Sequence, residues 1–202
     1  MVKSLNEFWE SKHMEDDVNA LSGCDLDLTL SMLNMTNRIN GNHKVLEIGV
    51  GLGHAVRELF DKKINVSAVD ISNSALERVN KYCERTYNTN NLSELPTDYF
   101  DIILCMNVIQ HIPTKELNEE MREIMRSLKT GGIFAVEFVS SDAFEDNGEN
   151  CSVGDANAGR LCRSPKFLTN IFEKNNGKCE LVFSKSIEHI LIDSYHVFHI
   201  TK

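Results

Sequence analysis

Three glycines at alternate positions, Gly49, Gly51 and Gly53, follow an acid in the run Glu47-Ile48-Gly49-Val50-Gly51-Leu52-Gly53. A residue without a Cβ lets the backbone turn sharply and approach a ligand closely. Further on, the apolar run Val66-Ser67-Ala68-Val69 ends in a second acid, Asp70. In open α/β sheets the ligand site lies at the carboxyl ends of the strands, and a carboxylate there can accept hydrogen bonds from both hydroxyls of a ribose. Residues 44–70 therefore predict a site for an adenosine-containing ligand.

These groups work only if strands and helices alternate to position them. Residues 44–49 read as a short buried strand ending at glycine. A helix is expected over 55–62, with Val56, Leu59 and Phe60 on one face. Residues 66–70 read as the second strand. Ser72 or Asn73 can cap a helix over 74–85. A short third strand is expected over 87–91 and a fourth over 100–106. Thr114 is placed to cap a helix over 114–128, where Leu117, Met121, Ile124, Met125 and Leu128 form a stripe. Lys129-Thr130-Gly131-Gly132 ends it, and a fifth strand follows over 133–139. This rhythm predicts a doubly wound, mostly parallel sheet with helices on both faces.

The flanks differ in character. Residues 1–42 read as amphipathic helices, with Leu5, Phe8 and Trp9 on one apolar face and Leu26, Leu30, Leu33 and Met35 on another. Residues 140–165 are polar, rich in Gly, Asn and Asp, and without period; a loop this long is often functional. Ser164-Pro165 opens a helix over 166–174, with Gly177 past its end. Two β-like runs, 179–184 and 195–201, predict an antiparallel C-terminal hairpin. The expectation is one domain over 1–202, comprising a helical cap (1–42), a cofactor-binding core (43–139), a substrate-side insertion (140–165), and a C-terminal helix and hairpin (166–202). Its sheet is α/β, Rossmann-like and seven-stranded.

Dinucleotide folds use G-x-G-x-x-G, in which the third glycine lets helix and strand pack tightly. Here that register gives Gly49, Gly51 and then His54. The pattern E-x-G-x-G-x-G instead resembles motif I of the class I S-adenosylmethionine-dependent methyltransferases, and the resemblance spans residues 43–139. Val69-Asp70-Ile71-Ser72 is similar to the family's second motif. Asn91-Leu92-Ser93-Glu94-Leu95-Pro96 is similar to the stretch that meets the adenine amine, with Asn91 where members often carry Asp. Residues 100–112 resemble motif IV and its exit loop, and Leu128-Lys129-Thr130-Gly131-Gly132 the turn before strand five. The resemblance implies S-adenosyl-L-methionine as cofactor. It implies cofactor contacts from Glu47, Gly49, Gly51, Gly53, Asp70, Ile71, Asn91, Leu92, Cys105 and Met106. His54 departs from the small hydroxyl residue common after the third glycine and would narrow the methionine end of the pocket.

Methyl transfer from a sulfonium needs alignment and exclusion of water more than acid–base groups. A base is required only where the acceptor must lose a proton. His111, a few residues past strand four, is the candidate base, with a structural role in the loop as the alternative. Glu137 ends strand five, as an acceptor-binding acid or a buried structural one. Arg160 and Arg163 could hold an anionic group of the substrate, or be solvated surface charges. Trp9, His13 and Met14 could close over the cofactor, with core packing as the alternative for Trp9. His189, His196 and His199 carry no assigned chemistry. Asn107-Val108-Ile109-Gln110 lacks the prolines and aromatic of N-P-P-Y, which argues against nucleobase or glutamine amines. A small-molecule acceptor, by preference through oxygen, is expected.

The charge and cysteines narrow the rest. With a net charge of -9 the chain repels phosphate backbones, so no nucleic-acid partner is expected. No run reaches the ~20 apolar residues of a membrane span, and the polar start does not read as a secretory signal. A cytoplasmic protein, monomeric or homodimeric, is the expectation. The six cysteines include no CxxC pair, so free thiols and no metal site are expected. The rival readings are an NAD-type oxidoreductase, against which the glycine register speaks, and a non-catalytic S-adenosylmethionine-binding scaffold.

Overall fold

Strand β1 (Lys44–Ile48) lies between β2 (Asn65–Asp70) and β4 (Phe100–Cys105), parallel to both. The computed structural model describes residues 4–14, 26–140, 152–153, 160–161, 163–186 and 194–202. In chain order it contains α1 (Leu5–Met14), α2 (Leu26–Met32), β1, α3 (His54–Asp61), β2, α4 (Asn73–Val79), β3 (Thr86–Asn88), β4 and α5 (Thr114–Ser127). These are followed by β5 (Leu128–Ser140), β6 (Ser152–Val153), β7 (Arg160–Leu161), α6 (Pro165–Lys174), β8 (Lys178–Ser186) and β9 (Ser194–Thr201). Seven strands form one sheet in the order β3-β2-β1-β4-β5-β9-β8. β1 to β5 run parallel, and β9 is antiparallel to both β5 and β8. The Rossmann-like sheet with an antiparallel C-terminal hairpin is thus the observed fold.

The core follows from strand alternation. On β4, Ile103 and Cys105 face a cluster with α5 and α6, including Phe134 and Phe172. Ile102 and Leu104 face the opposite cluster with α2, α3 and α4. Of the two expected flank stripes, Leu26, Leu30, Leu33 and Met35 all lie in that second cluster, whereas Leu5 and Trp9 are half-buried and only Phe8 of the other is buried. Each fully buried side chain of this size is worth ~1.5–3 kcal/mol. The terminal hairpin is tied back by His199, whose Nε2 lies 2.8 Å from the carbonyl oxygen of Leu33. His196 lies beside Ser140 instead, Nε2 to Oγ 2.7 Å, and stacks on Phe138.

Several boundaries differ from the sequence expectation. The helix expected over 74–85 stops at Val79 and tightens into a 3-10 turn, Asn80–Tyr82. β3 ends at Asn88, and residues Thr89–Glu94 form 3-10 turns rather than strand. Thr114 does not cap α5: Pro113 occupies the cap position, and the Thr114 hydroxyl accepts from Arg163. β5 starts at Leu128, directly after α5, because Gly131 and Gly132 are absorbed by a register shift against β4 instead of forming a loop. Phe60 is 41% exposed, since the buried stripe of α3 is Ala55, Val56 and Leu59; its ring meets Tyr82. Of residues 140–165, the described parts include one short antiparallel pair, β6 with β7; most of the remainder lies outside the described residues, as does His189.

Gly53 shows how tightly α3 and α4 are joined. It caps α3 at φ 74°, and a Cβ there would stand 2.2 Å from Val79 Cγ1 of α4. Gly53→Ala is expected to lower stability by ~1–3 kcal/mol in chemical denaturation. Adding Val79→Ala should relieve the clash and give a non-additive cycle; strict additivity would show that this contact does not limit the turn.

Candidate active site

The turn after β1 is shaped by close approach. Gly49 has φ 76°, and a Cβ on it would fall 2.1 Å from Val108 Cγ2 in the loop after β4. Its N–H donates to the Val69 carbonyl at 2.8 Å, so the turn is pinned across to β2. The next link is Asp70, at the carboxyl end of β2 and 5% exposed. Its Oδ2 accepts from Gly51 N at 3.1 Å and its Oδ1 from Ser72 N at 2.9 Å. One carboxylate therefore joins the glycine turn to the start of α4, where Ser72 Oγ accepts from Ala75 N as the helix cap. Burial raises the Asp70 pKa, and the N–H bonds and nearby His13 oppose that. Each oxygen keeps a lone pair for a further donor.

A cavity of about 690 Å³ opens at this end of the sheet, in the size range of small-molecule sites. The strand order reverses between β1 and β4, so it occupies the topological switch point. Glu47 lines it with one buried carboxylate oxygen, Oε2, that has no hydrogen-bond partner. Burial, with Asp70 adding repulsion, pushes its pKa up to about 8. A carboxyl group held off water beside an anion is suited to a ligand that brings a donor or a positive charge.

The loop after β4 forms the next wall. Asn107 is left-handed at φ 59°, a conformation in which Asn is tolerated, and its N–H donates to Glu137 Oε2 at 2.8 Å. Its Oδ1 accepts from the Tyr195 hydroxyl at 3.4 Å. Glu137, fully buried, thus supports the backbone of the loop. Arg163 is 2% exposed, and its guanidinium donates to the carbonyl oxygens of Ile109 and Ile112. Between these two carbonyls lies His111, in a 3-10 turn, which lines the cavity and meets the Trp9 ring edge-on at 5.0 Å.

Helix α1 closes the cavity with Leu5, Trp9 and His13, while Met14 is 71% exposed. On the other side α5 contributes an acidic stripe, Glu116, Glu120 and Glu123. Burial, with Glu116 alongside, raises the Glu120 pKa to about 7.

The structure thus brings Glu47, Gly49, Gly51, Asp70, Ile71, Leu92, Met106 and His111 to one cavity. Other expected residues go elsewhere. Asn91 is exposed and outside the wall; in the 3-10 turns Thr89 and the likewise exposed Asn90 line it instead. Cys105 faces the apolar cluster under α5, as alternation on β4 sends Leu104 and Met106 to the cavity; burial pushes its thiol pKa up. Gly53 serves helix packing rather than the wall. Arg163, expected at the substrate, is spent on loop carbonyls, since a buried guanidinium must be satisfied locally. Glu137 reaches backbone rather than cavity. The Arg160 side chain lies outside the described residues. Sequence reading missed Asn90, which no local signal separates from Asn91, and the α5 acids, whose i, i+4, i+7 spacing was legible. Among the described residues, no group of three or more His, Cys, Asp or Glu is placed to hold a metal, Cys83, Cys105 and Cys179 are free thiols, and no helix is long and apolar enough to cross a membrane.

Residues 46–136 match a family model described as a methyltransferase domain. The chain is 32% identical over 120 residues to a sterol 24-C-methyltransferase of Aspergillus fumigatus, covering 53% of this chain and 31% of that protein. It is 23% identical over 103 residues to a ubiquinone biosynthesis O-methyltransferase of Rickettsia typhi, covering 48% and 41%. The chain spans about a third of the length of the sterol methyltransferases it matches. Among solved structures, a Haemonchus contortus N-methyltransferase in complex with phosphomonomethylethanolamine and S-adenosylhomocysteine superposes with a TM-score of 0.70 at 16% identity, over 100% of this chain and 60% of that one. At that identity the likeness concerns the fold alone.

The Glu47 carboxyl makes stability depend on pH. Its pKa is raised from 4.5 to about 8 in the folded chain. Its contribution is fully present below the unfolded value and is lost as pH rises through the folded one. Between about pH 5 and about pH 8 the wild-type melting temperature should therefore fall relative to Glu47→Gln. Parallel profiles for the two proteins would show that Glu47 is ionised throughout.

Proposed function

We propose, from the premise that this chain belongs to the class I S-adenosylmethionine-dependent methyltransferases, that it transfers a methyl group to a small-molecule acceptor. The observation that carries the reading is Asp70, whose carboxylate is already oriented by Gly51 and Ser72 at the mouth of the cavity. The residues present fit the cofactor. Asp70 would accept from the ribose hydroxyls, the open turn at Gly51 would admit the chain near it, and Glu47, which lines the cavity, would face the cationic end. Leu104 and Met106 supply apolar wall beside it. When bound, S-adenosylmethionine supplies a methyl group whose leaving group is activated by its own positive charge.

The protein's part is alignment and dryness. Trp9 and Leu5 of α1 cover the cavity and exclude water. His111, at its wall, would take the proton from an acceptor hydroxyl, and Arg163 and Glu137 would hold its loop in register. An oxygen acceptor gives His111 this role and is the reading preferred here. The N-terminal helices, the core over 43–139 and the C-terminal hairpin would then act as one methyltransferase domain.

Calorimetric titration with S-adenosylmethionine, S-adenosylhomocysteine and NAD tests the cofactor. Binding of the first two and not NAD is expected, with Asp70→Ala weakening it ~10- to 100-fold, as for a lost charged hydrogen bond. Binding of NAD alone would overturn the reading. With an acceptor found in a panel of hydroxyl compounds, His111→Gln should lower turnover ~10²-fold and leave cofactor affinity intact. Wild-type turnover in that variant would remove His111 as the base.

A further inference from the structure

One side chain reaches the wall beside Asp70 from outside every glycine and strand motif. His13, on the last turn of α1, lines the cavity and is 3% exposed. Its Nε2 lies 3.9 Å from where a Cβ on Gly51 would stand. Gly51 is the residue whose N–H donates to Asp70 Oδ2, so the imidazole and the carboxylate attend the same turn. The other ring nitrogen, Nδ1, is buried without a hydrogen-bond partner. Buried polar groups in native structures are as a rule satisfied.

The ring is held in place without using its nitrogens. Arg78 of α4 donates to the His13 carbonyl oxygen at 2.9 Å. One turn earlier, Glu10 accepts from Ser74 N and, at 2.5 Å, from Ser74 Oγ. Trp9 stacks on the imidazole at 6.0 Å between centroids. Burial lowers the His13 pKa, Arg78 adds to that, and Asp70 and Glu10 oppose it. A neutral imidazole offers one donor and one acceptor.

We propose that His13 is a second ribose-recognition residue, bonding a hydroxyl of the bound nucleoside that Asp70 also holds. The two groups are complementary. An ionised carboxylate only accepts, so each ribose hydroxyl that donates to Asp70 still has lone pairs, and the imidazole N–H can serve one of them. Because the donor is carried by α1, ribose recognition couples the nucleoside to the helix that covers the cavity. The orientation of the ring in advance of binding reduces the ordering cost.

This inference rests on the cavity being a nucleoside site, and the experiment separates the two. Calorimetry, direct and by competition, would measure S-adenosylhomocysteine, adenosine and 2′,3′-dideoxyadenosine on the full chain. The proteins are wild type, His13→Phe, which keeps aromatic bulk against Trp9, and His13→Gln, which keeps a donor. In wild type, losing both hydroxyls should weaken adenosine markedly. In His13→Phe that penalty should shrink about tenfold, with part of it restored in His13→Gln, a coupling that mere packing does not produce. Thermal melts would establish that both variants fold. An unchanged penalty in His13→Phe would overturn the assignment of His13 while leaving the nucleoside site standing. Failure of wild type to bind any of the three would overturn both.

Discussion

The carboxylate of Asp70 is the tie on which the site depends. It stands at the end of a buried parallel strand and bonds two backbone N–H groups that belong to different turns, those of Gly51 and Ser72. Buried backbone donors need partners, and here one acid satisfies the turn after β1 and the entry to α4 together. Burial raises its pKa, and those same bonds oppose the rise. The result is a carboxyl group fixed in direction before any ligand arrives, which is what a binding site gains most from.

Around that tie the walls are set by packing. Gly49 lets the first turn lie against Val108, and Gly53 lets α3 start against Val79. Neither contact could form with a side chain at those positions, so the loops after β1 and β4 and helices α3 and α4 have one relative placement. The loop after β4 is then stiffened from behind by two buried charges. Glu137 holds the N–H of Asn107, and Arg163 holds the carbonyls of Ile109 and Ile112. Both residues bear on the cavity through the backbone of that loop.

The same fold carries sterol C-methylation and ubiquinone O-methylation in relatives of this chain, in keeping with the rule that function lives in sites grafted on folds. The lining of this cavity is mixed. It carries acids from β1, β2 and α5, and three rings, Trp9, His13 and His111, in successive contact. The rings come from the N-terminal helix and from the loop after β4, so these two walls of the cavity are physically joined.

Much of this was legible in the amino-acid order. Glycine spacing, strand-terminal acids and the change of hydrophobic period from 2 to 3.6 are local properties. They specified the parallel sheet, the terminal hairpin, the glycine turn and Asp70. Other features depend on contacts far apart in the chain, and only the tertiary structure decided them. One 3-10 turn exchanged Asn91 for Asn90 at the wall, and the pleat of β4 turned Cys105 to the core and Leu104 to the cavity. The need to satisfy a buried guanidinium took Arg163 away from the substrate side. His13 reaches the glycine turn only because α1 docks on α4 through Glu10 and Arg78. Local spacing determines which elements form; long-range burial determines which atoms of those elements meet.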